Sequence, residues 1–144
     1  MTADDTRALI QRFFDALAAR DTPAVLACLA DDVVHDVNQG GERRIGRPRF
    51  EAYLARMQHH YEEATSDLVI LVSNDGTRAA AEYNMTGRYV QTEEGMPPAH
   101  GQSYTLPAAM LFTANAGRLS RVTAYYNLTD WITQIAREPA GRLQ

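Results

Sequence analysis

Apolar residues recur at helical spacing in three segments of the N-terminal half, which predicts three helices. The first is expected over Ala3 to Arg20, with acidic residues at its N-terminus. A short second helix follows, with Thr22 as its N-cap and Pro23 in its first turn, and a third begins at Pro48. The apolar faces of the two longer helices are Leu9, Ile10, Phe13, Phe14 and Leu17 in the first and Phe50, Tyr53, Leu54, Met57 and Tyr61 in the third.

The remaining segments are rich in β-branched and aromatic residues and predict strands. Val33–Val37 is expected to be the first, with Gly40 and Gly41 turning the chain into Arg43–Ile45. Glycine-containing turns at 74–76 and 115–117 predict an antiparallel meander for the later strands. A closing helical turn from Asp130 to Ile135 is expected to have Thr129 as its cap. The expected later strands are Leu68–Val72, Arg78–Gln91, Ser103–Ala114 and Leu119–Asn127, and a longer loop, Thr92–Gly101, joins the middle pair.

This order of elements predicts one α+β domain over residues 1–136, followed by a loose C-terminal tail over 137–144. The chain has 144 residues, of which 45% are hydrophobic and 22% charged. That composition is typical of a globular protein with a core of its own.

Charge and cysteine content narrow the function classes. The chain carries 14 basic and 18 acidic residues and no basic run, which argues against nucleic acid as a partner. No apolar stretch reaches the length of a membrane span and no signal peptide is recognisable, so no membrane partner is expected. The single cysteine, Cys28, fits a cytoplasmic protein. No metal and no cofactor are expected, because metal-ligand spacing and phosphate-binding glycine patterns are missing from the sequence.

The adjacent His35 and Asp36 are the predicted catalytic residues. They interrupt a β-branched run, and successive strand residues point to opposite faces, so one of the two is expected to line the interior. An imidazole or carboxylate in an apolar interior has a shifted pKa, which suits acid–base catalysis. Asn38 shares a face with Asp36 and could orient it. Alternatively, Asp36 is solvated and His35 is a satisfied, partly buried side chain.

The order of elements and several segments resemble the cone-shaped α+β fold of nuclear transport factor 2-like proteins. The segments Ile10–Leu17, Leu29–Val34 and Gly117–Leu119 carry this resemblance, which covers roughly Leu9 to Ile135. VVHDVNQGG, LPAA and YYNLTDW are similar to the group related to ketosteroid isomerases. The resemblance implies three to four helices packed on a curved antiparallel sheet that encloses an apolar pocket.

The resemblance also implies where catalytic groups would lie. The aspartate base of ketosteroid isomerases corresponds to Asp36 with a one-residue gap, or to Val37 without one. The two groups that bind the enolate oxygen in those enzymes correspond to Phe13 and Ala108, which have no polar side chain, so efficient steroid isomerisation is not expected. Limonene epoxide hydrolases are similar in fold but use an Asp-Arg-Asp set that the long strands lack. A polyketide cyclase-like reaction needs only an acid–base residue in a pocket that folds the substrate.

Alternation along the strands and the resemblance together predict the pocket. Tyr83 and Met85 belong to the inner set of their strand, and the Tyr83 hydroxyl could either donate to a ligand carbonyl or bind a backbone group. Trp131 could close the pocket or simply anchor its helix. The predicted ligand-binding residues are Asn38, Tyr53, Met57, Tyr83, Met85, Tyr126 and Trp131.

Three functions follow as hypotheses. The first is a cofactor-free isomerase or cyclase in which Asp36, with or without His35, moves a proton on a small hydrophobic carbonyl compound. The second is a binding protein for a small hydrophobic ligand, and an epoxide hydrolase-like enzyme is a weaker third. A homodimer through the outer face of the sheet is also expected, where Ala109, Leu111 and Tyr125 would lie.

Overall fold

The computed structural model describes residues 1–139, so the part of the predicted tail from 140 to 144 lies outside the described residues. In this described part of the chain, four helices pack against a six-stranded sheet, which confirms the predicted α+β fold class. The helices are α1 (Ala3–Ala18), α2 (Thr22–Ala27), α3 (Arg47–His60) and α4 (Leu128–Ile135). The strands are β1 (Leu29–Val37), β2 (Gly40–Ile45), β3 (Tyr61–Val72), β4 (Arg78–Tyr89), β5 (Gln102–Asn115) and β6 (Arg118–Tyr126).

The sheet has the order β2-β1-β6-β5-β4-β3. The strands β3 to β6 form the predicted antiparallel meander. The pair β1 and β6 is parallel, so the sheet is mixed and not purely antiparallel as expected. Parallel pairing arises because the chain crosses from β1 through α3 and the meander before it returns beside β1 in β6.

The inner face of the sheet packs against α1 and α3. Phe13 and Phe14 of α1 contact Phe112 of β5 edge-on, with ring centroids 5.8 and 6.3 Å apart. Phe14 also meets Tyr83 of β4 at 5.4 Å. Phe13 is therefore a core residue, as its place on the apolar stripe of the first helix predicted.

The predictions of one turn and two helix caps are wrong. The turn between β1 and β2 is made by Asn38 and Gln39, both with positive φ, and Gly40 already pairs with Val37. The N-cap of α2 is Asp21, whose carboxylate accepts the Ala24 N–H at 3.1 Å, while Thr22 lies inside the helix. Neighbouring residues of similar capping ability compete for such positions, and the entry path of the chain decides between them.

The same competition occurs at α4, where the N-cap is Asn127 and not Thr129. The Asn127 side-chain oxygen accepts the Asp130 N–H at 2.9 Å. A larger difference concerns β3, which begins at Tyr61 and not at Leu68. The third helix ends at His60, so Tyr61 belongs to the sheet and not to the apolar face of the helix.

No helix within residues 1–139 is both long enough and apolar enough to cross a membrane.

Candidate functional site

A cavity of about 180 Å³ lies between the helices and the inner face of the sheet. Residues from α1, α3, α4 and strands β3 to β6 form its wall. The wall is rich in aromatic and methionine side chains, as is usual for sites that bind small apolar molecules. These are Phe14, Tyr53, Met57, Tyr61, Tyr83, Met85, Tyr104, Met110, Tyr126 and Trp131.

Six of the seven predicted ligand-binding residues have a place in this wall. They are Tyr53, Met57, Tyr83, Met85, Tyr126 and Trp131. The seventh, Asn38, is not in the wall, because it lies in the turn between β1 and β2 and accepts the Tyr126 N–H on its side-chain oxygen at 2.8 Å. That the six bind a ligand stays a prediction.

His35 points toward the interior but does not reach the cavity. Its side chain is 3% exposed and lies between Phe50 and Tyr53 of α3, with ring centroids 4.6 Å from each. Burial, reinforced by the Arg44 guanidinium, lowers the pKa of His35 to about 4, so the imidazole is neutral at pH 7. Its Nδ1 has no hydrogen-bond partner among the described residues.

Asp36 lies on the opposite, outer face of the sheet. It is level with Thr123 of β6, and its Oδ2 is 3.4 Å from Nη2 of Arg43. The expectation that His35 or Asp36 lines the cavity is therefore not met, since Tyr53 of α3 covers the one that faces inward. Neither residue has direct access to a ligand in this cavity, and their catalytic role stays an untested prediction.

Glu63 of β3 is the one carboxylate in the wall of the cavity within the described residues. Tyr61, Glu63 and Thr65 alternate along β3 and all face inward. Glu63 is an exposed residue of the open cavity wall. The protein around its carboxyl group desolvates the charged form, which raises the pKa of Glu63 above the ordinary value of a glutamate.

A short hydrogen bond holds one oxygen of this carboxylate. The Tyr104 hydroxyl donates to Oε2 of Glu63 at 2.5 Å, a distance typical of a hydroxyl bonded to a charged carboxylate. This bond lowers the pKa of Glu63 and so opposes the effect of burial. Oε1 has no hydrogen-bond partner in the described part of the chain.

Three phenols of the wall, Tyr53, Tyr83 and Tyr126, have hydroxyls without a hydrogen-bond partner in residues 1–139. Burial raises the pKa of each, and the charge of Glu63 raises it further, which shows that all three lie within electrostatic reach of that carboxylate. They therefore stay protonated and can donate hydrogen bonds to a ligand oxygen.

The Tyr61 hydroxyl, by contrast, is already hydrogen-bonded within the protein. Its hydroxyl donates to Oε2 of Glu93 at 2.6 Å, and Arg56 donates to Oε1 of the same residue at 2.9 Å. Tyr61 also stacks on Tyr89, whose hydroxyl donates to the Pro97 carbonyl at 2.7 Å. These bonds fasten the loop between β4 and β5 to the sheet.

Sequence reasoning missed Glu63 because the segment before Leu68 was not recognised as strand. The charged run Tyr61-Glu62-Glu63 has no β-branched residue, so strand propensity is low there. The alternation of Tyr61, Glu63 and Thr65 was the available signal. In the described residues, no group of three or more His, Cys, Asp or Glu side chains is arranged to hold a metal ion.

Four helices against a six-stranded mixed sheet, with an aromatic cavity on its inner face, define a nuclear transport factor 2-like protein, as the sequence resemblance implied. The chain belongs to the SnoaL-like domain family, whose model matches residues 10–122. No curated protein sequence matches it.

Solved structures with clear sequence similarity carry the name of candidate polyketide cyclases. One from Silicibacter is 47% identical, with 95% of this chain and 99% of that chain covered and a TM-score of 0.89. One from Xanthomonas campestris is 44% identical, with 92% and 97% covered and a TM-score of 0.88. An epoxide hydrolase-like protein of Mycobacterium tuberculosis shares the fold, with 22% identity, 92% and 90% covered and a TM-score of 0.67.

Proposed function

We propose that this protein is a cofactor-free acid–base enzyme of the polyketide cyclase type, which acts on a small hydrophobic carbonyl compound with Glu63 as the proton acceptor. The observation that carries the proposal is the position of Glu63, a carboxylate in an aromatic cavity with Oε1 unbonded within the described residues. Glu63 takes the role that the sequence analysis gave to Asp36 and His35. The raised pKa makes it a stronger base than a solvated glutamate.

The chemistry follows from what the wall of the cavity offers. Oε1 of Glu63 removes a proton from a carbon next to a carbonyl, and the negative charge moves to the carbonyl oxygen. The neutral phenols of Tyr53, Tyr83 and Tyr126 supply hydrogen bonds for that oxygen. In a ring closure, the enolate carbon forms a bond to a second carbonyl carbon, whose oxygen then takes the proton back from Glu63. In an isomerisation, the proton returns to a different carbon.

The size of the cavity indicates the size of the substrate. An apolar cavity of about 150 Å³ is known to bind benzene, so a cavity of about 180 Å³ suits a compound of one or two rings. Steroid isomerisation in the known manner lacks support, because the Phe13 side chain is buried in the core and Ala108 has no polar group. Epoxide hydrolysis is less well supported, because among residues 1–139 Glu63 is the one carboxylate in the wall and belongs to no Asp-Arg-Asp set there.

Non-catalytic binding of a similar ligand is the second candidate, favoured by the largely aromatic wall. Exchange of carbon-bound hydrogen in D₂O distinguishes the two candidates without knowledge of the natural substrate. The two-ring ketone 2-tetralone is incubated with the protein, and loss of the proton signal next to its carbonyl is followed by NMR. We expect the wild-type protein to accelerate this exchange.

Glu63→Gln should reduce the exchange rate about a hundredfold or more, since a positioned general base contributes at least that much. Glu62→Gln is the matched control, because Glu62 lies next to Glu63 on the outer face of β3, beside Arg88. Exchange that is equally fast in the Glu63→Gln variant would refute the role of Glu63. Quenching of Trp131 fluorescence by 2-tetralone without any exchange would favour the binding protein.

A cytoplasmic location is part of the proposal and is supported by the single, buried and unpaired Cys28.

A further inference from the structure

Gly87 of β4 lies between the two side chains that form the short hydrogen bond in the cavity. Glu63 of β3 is level with Gly87, and Gly87 is level with Tyr104 of β5. The three residues thus form one row across the sheet, with Glu63 and Tyr104 about 10 Å apart at their backbones, twice the spacing of neighbouring strands. The hydroxyl nevertheless reaches Glu63 at 2.5 Å, so the tyrosine side chain must cross β4.

The ring crosses at Gly87. A Cβ atom on this residue would overlap Cζ, Oη and Cε2 of Tyr104, so any other amino acid would occupy the space that the phenol uses. Gly87 is not among the glycines with positive φ, so its backbone conformation is open to every residue. Glycine within a strand weakens the strand and commonly marks a close approach by another group. Here that group is the Tyr104 ring.

We propose that Gly87 is a positioning residue: its missing side chain lets Tyr104 lie across β4 and hold Oε2 of Glu63, which leaves Oε1 directed at the ligand. The importance of this for catalysis rests on the proposed function, whereas the steric and hydrogen-bonding part of the proposal does not.

The surroundings of Tyr104 keep the ring in place. It is 2% exposed and packs edge-on against Tyr61 and Trp131, with ring centroids 6.4 and 6.1 Å away. A ring that is confined on those sides cannot give way when a methyl group is added on the side of Gly87. We therefore expect Gly87→Ala to move the hydroxyl away from Glu63.

The test measures the pKa of Glu63 directly, by NMR titration of its carboxyl carbon in the protein without ligand, with Glu63→Gln used for assignment. Tyr104→Phe keeps the ring and removes the hydroxyl, so it should raise the pKa of Glu63. Gly87→Ala should raise it by a similar amount. Thr86→Ala, the neighbouring change on the outer face of β4, should leave it unchanged.

The combined variant decides whether Gly87 acts through Tyr104. In the Tyr104→Phe background, Gly87→Ala should cause no further rise, because the hydrogen bond is already lost. A pKa of Glu63 that is unchanged in either single variant would overturn the proposal. So would a rise from Gly87→Ala that is equally large in both backgrounds.

A second pair of variants covers the case in which Gly87→Ala does not fold. Tyr104→Leu removes the ring, so Gly87→Ala combined with it should fold, as judged by circular dichroism, and failure of that pair would overturn the steric claim. The exchange assay separates this proposal from the proposed function. Expected pKa changes together with unchanged exchange in Glu63→Gln would uphold the role of Gly87 and refute catalysis by Glu63.

Discussion

Glu62 and Glu63 differ in chemistry although they are adjacent in the chain. Glu62 is exposed on the outer face of β3, 3.9 Å from Arg88. Glu63 faces the cavity, where burial raises its pKa and Tyr104 holds one of its oxygens. The difference arises because a strand turns successive side chains to opposite faces, so Glu62 lies on the outer face and Glu63 in the wall of the aromatic cavity.

His35 and Asp36 also point to opposite faces of their strand, but both side chains are buried. His35 faces inward but lies behind Tyr53, and Asp36 is directed to the outer face. The neutral imidazole of His35 packs between two aromatic rings without a partner for Nδ1 within residues 1–139. His35 is therefore expected to affect stability more than chemistry.

The pH dependence of stability follows from the lowered pKa of His35. The unfolded chain takes up a proton at about pH 6.5, but the folded protein resists protonation until about pH 4. Because the unfolded state binds more protons in this range, the free energy of unfolding should fall by about 3 kcal/mol as the pH decreases from 6.5 to 4. Urea unfolding at pH 7.5 and pH 4.5 measures this loss.

His35→Phe should remove this part of the pH dependence. His59→Phe is the matched control, since His59 is exposed at the end of α3. An equal loss of stability on acidification in the wild type and in His35→Phe would show that His35 is not the cause of this pH dependence.

At the scale of elements, α4 shows how a short helix depends on its cap. It spans Leu128–Ile135 and buries Trp131 and Ile135 against the aromatic residues beside the cavity. A helix of this length is not stable alone in water, so packing and capping must maintain it. The cap is the Asn127 side chain, bonded to the Asp130 N–H.

Asn127→Ala should therefore destabilise the protein by about 1 kcal/mol, the usual cost of losing an N-cap. Thr129→Ala, at the position that the sequence favoured, should change stability by less than about 0.5 kcal/mol, because the Thr129 side chain does not cap the helix. Urea unfolding monitored by Trp131 fluorescence measures both. A larger loss in Thr129→Ala than in Asn127→Ala would show that the cap is misassigned.

At the scale of the whole molecule, the outer face of the sheet exposes apolar side chains. Leu71 is level with Ala80, Leu111 and Thr123 across four strands, and it is 60% exposed. Val69, 49% exposed, begins the next row of this face, which continues through Glu82, Ala109 and Tyr125. We propose that this face forms a symmetric homodimer, which would remove it from water.

Sedimentation equilibrium at micromolar concentration should accordingly give about twice the chain mass of 16.0 kDa. Leu71→Glu should weaken the dimer at least about tenfold, because each protomer would then bring a charged side chain without a partner into the contact. Leu128→Glu is the control, since Leu128 is also exposed, at 51%, but belongs to α4, which packs beside the cavity on the inner side of the sheet. A wild-type protein that sediments as a monomer would exclude the dimer.

The amino-acid sequence was enough to predict the α+β class, the inner face of β4 and, with the help of the family resemblance, six residues of the cavity wall. The inner and outer faces follow from periodicity, because a residue's face on a helix or strand depends only on its spacing from its neighbours. Alternation therefore assigns Tyr83 and Met85 to the inner face of the strand and Glu82 to the outer face without knowledge of the fold. The core position of Phe13 followed in the same way.

The chemistry of the cavity, in contrast, depends on contacts between segments that are distant in the chain. The groups that desolvate Glu63 and the phenol that donates to it come from segments far apart in the chain. The role of Gly87 depends on the pairing of β3, β4 and β5, which places it between Glu63 and Tyr104. Likewise, the distance of His35 from the cavity depends on where α3 packs. The spacing of residues determines the face of a helix or strand to which each side chain points. Burial, contacts and access to a cavity depend on which distant segments pack together.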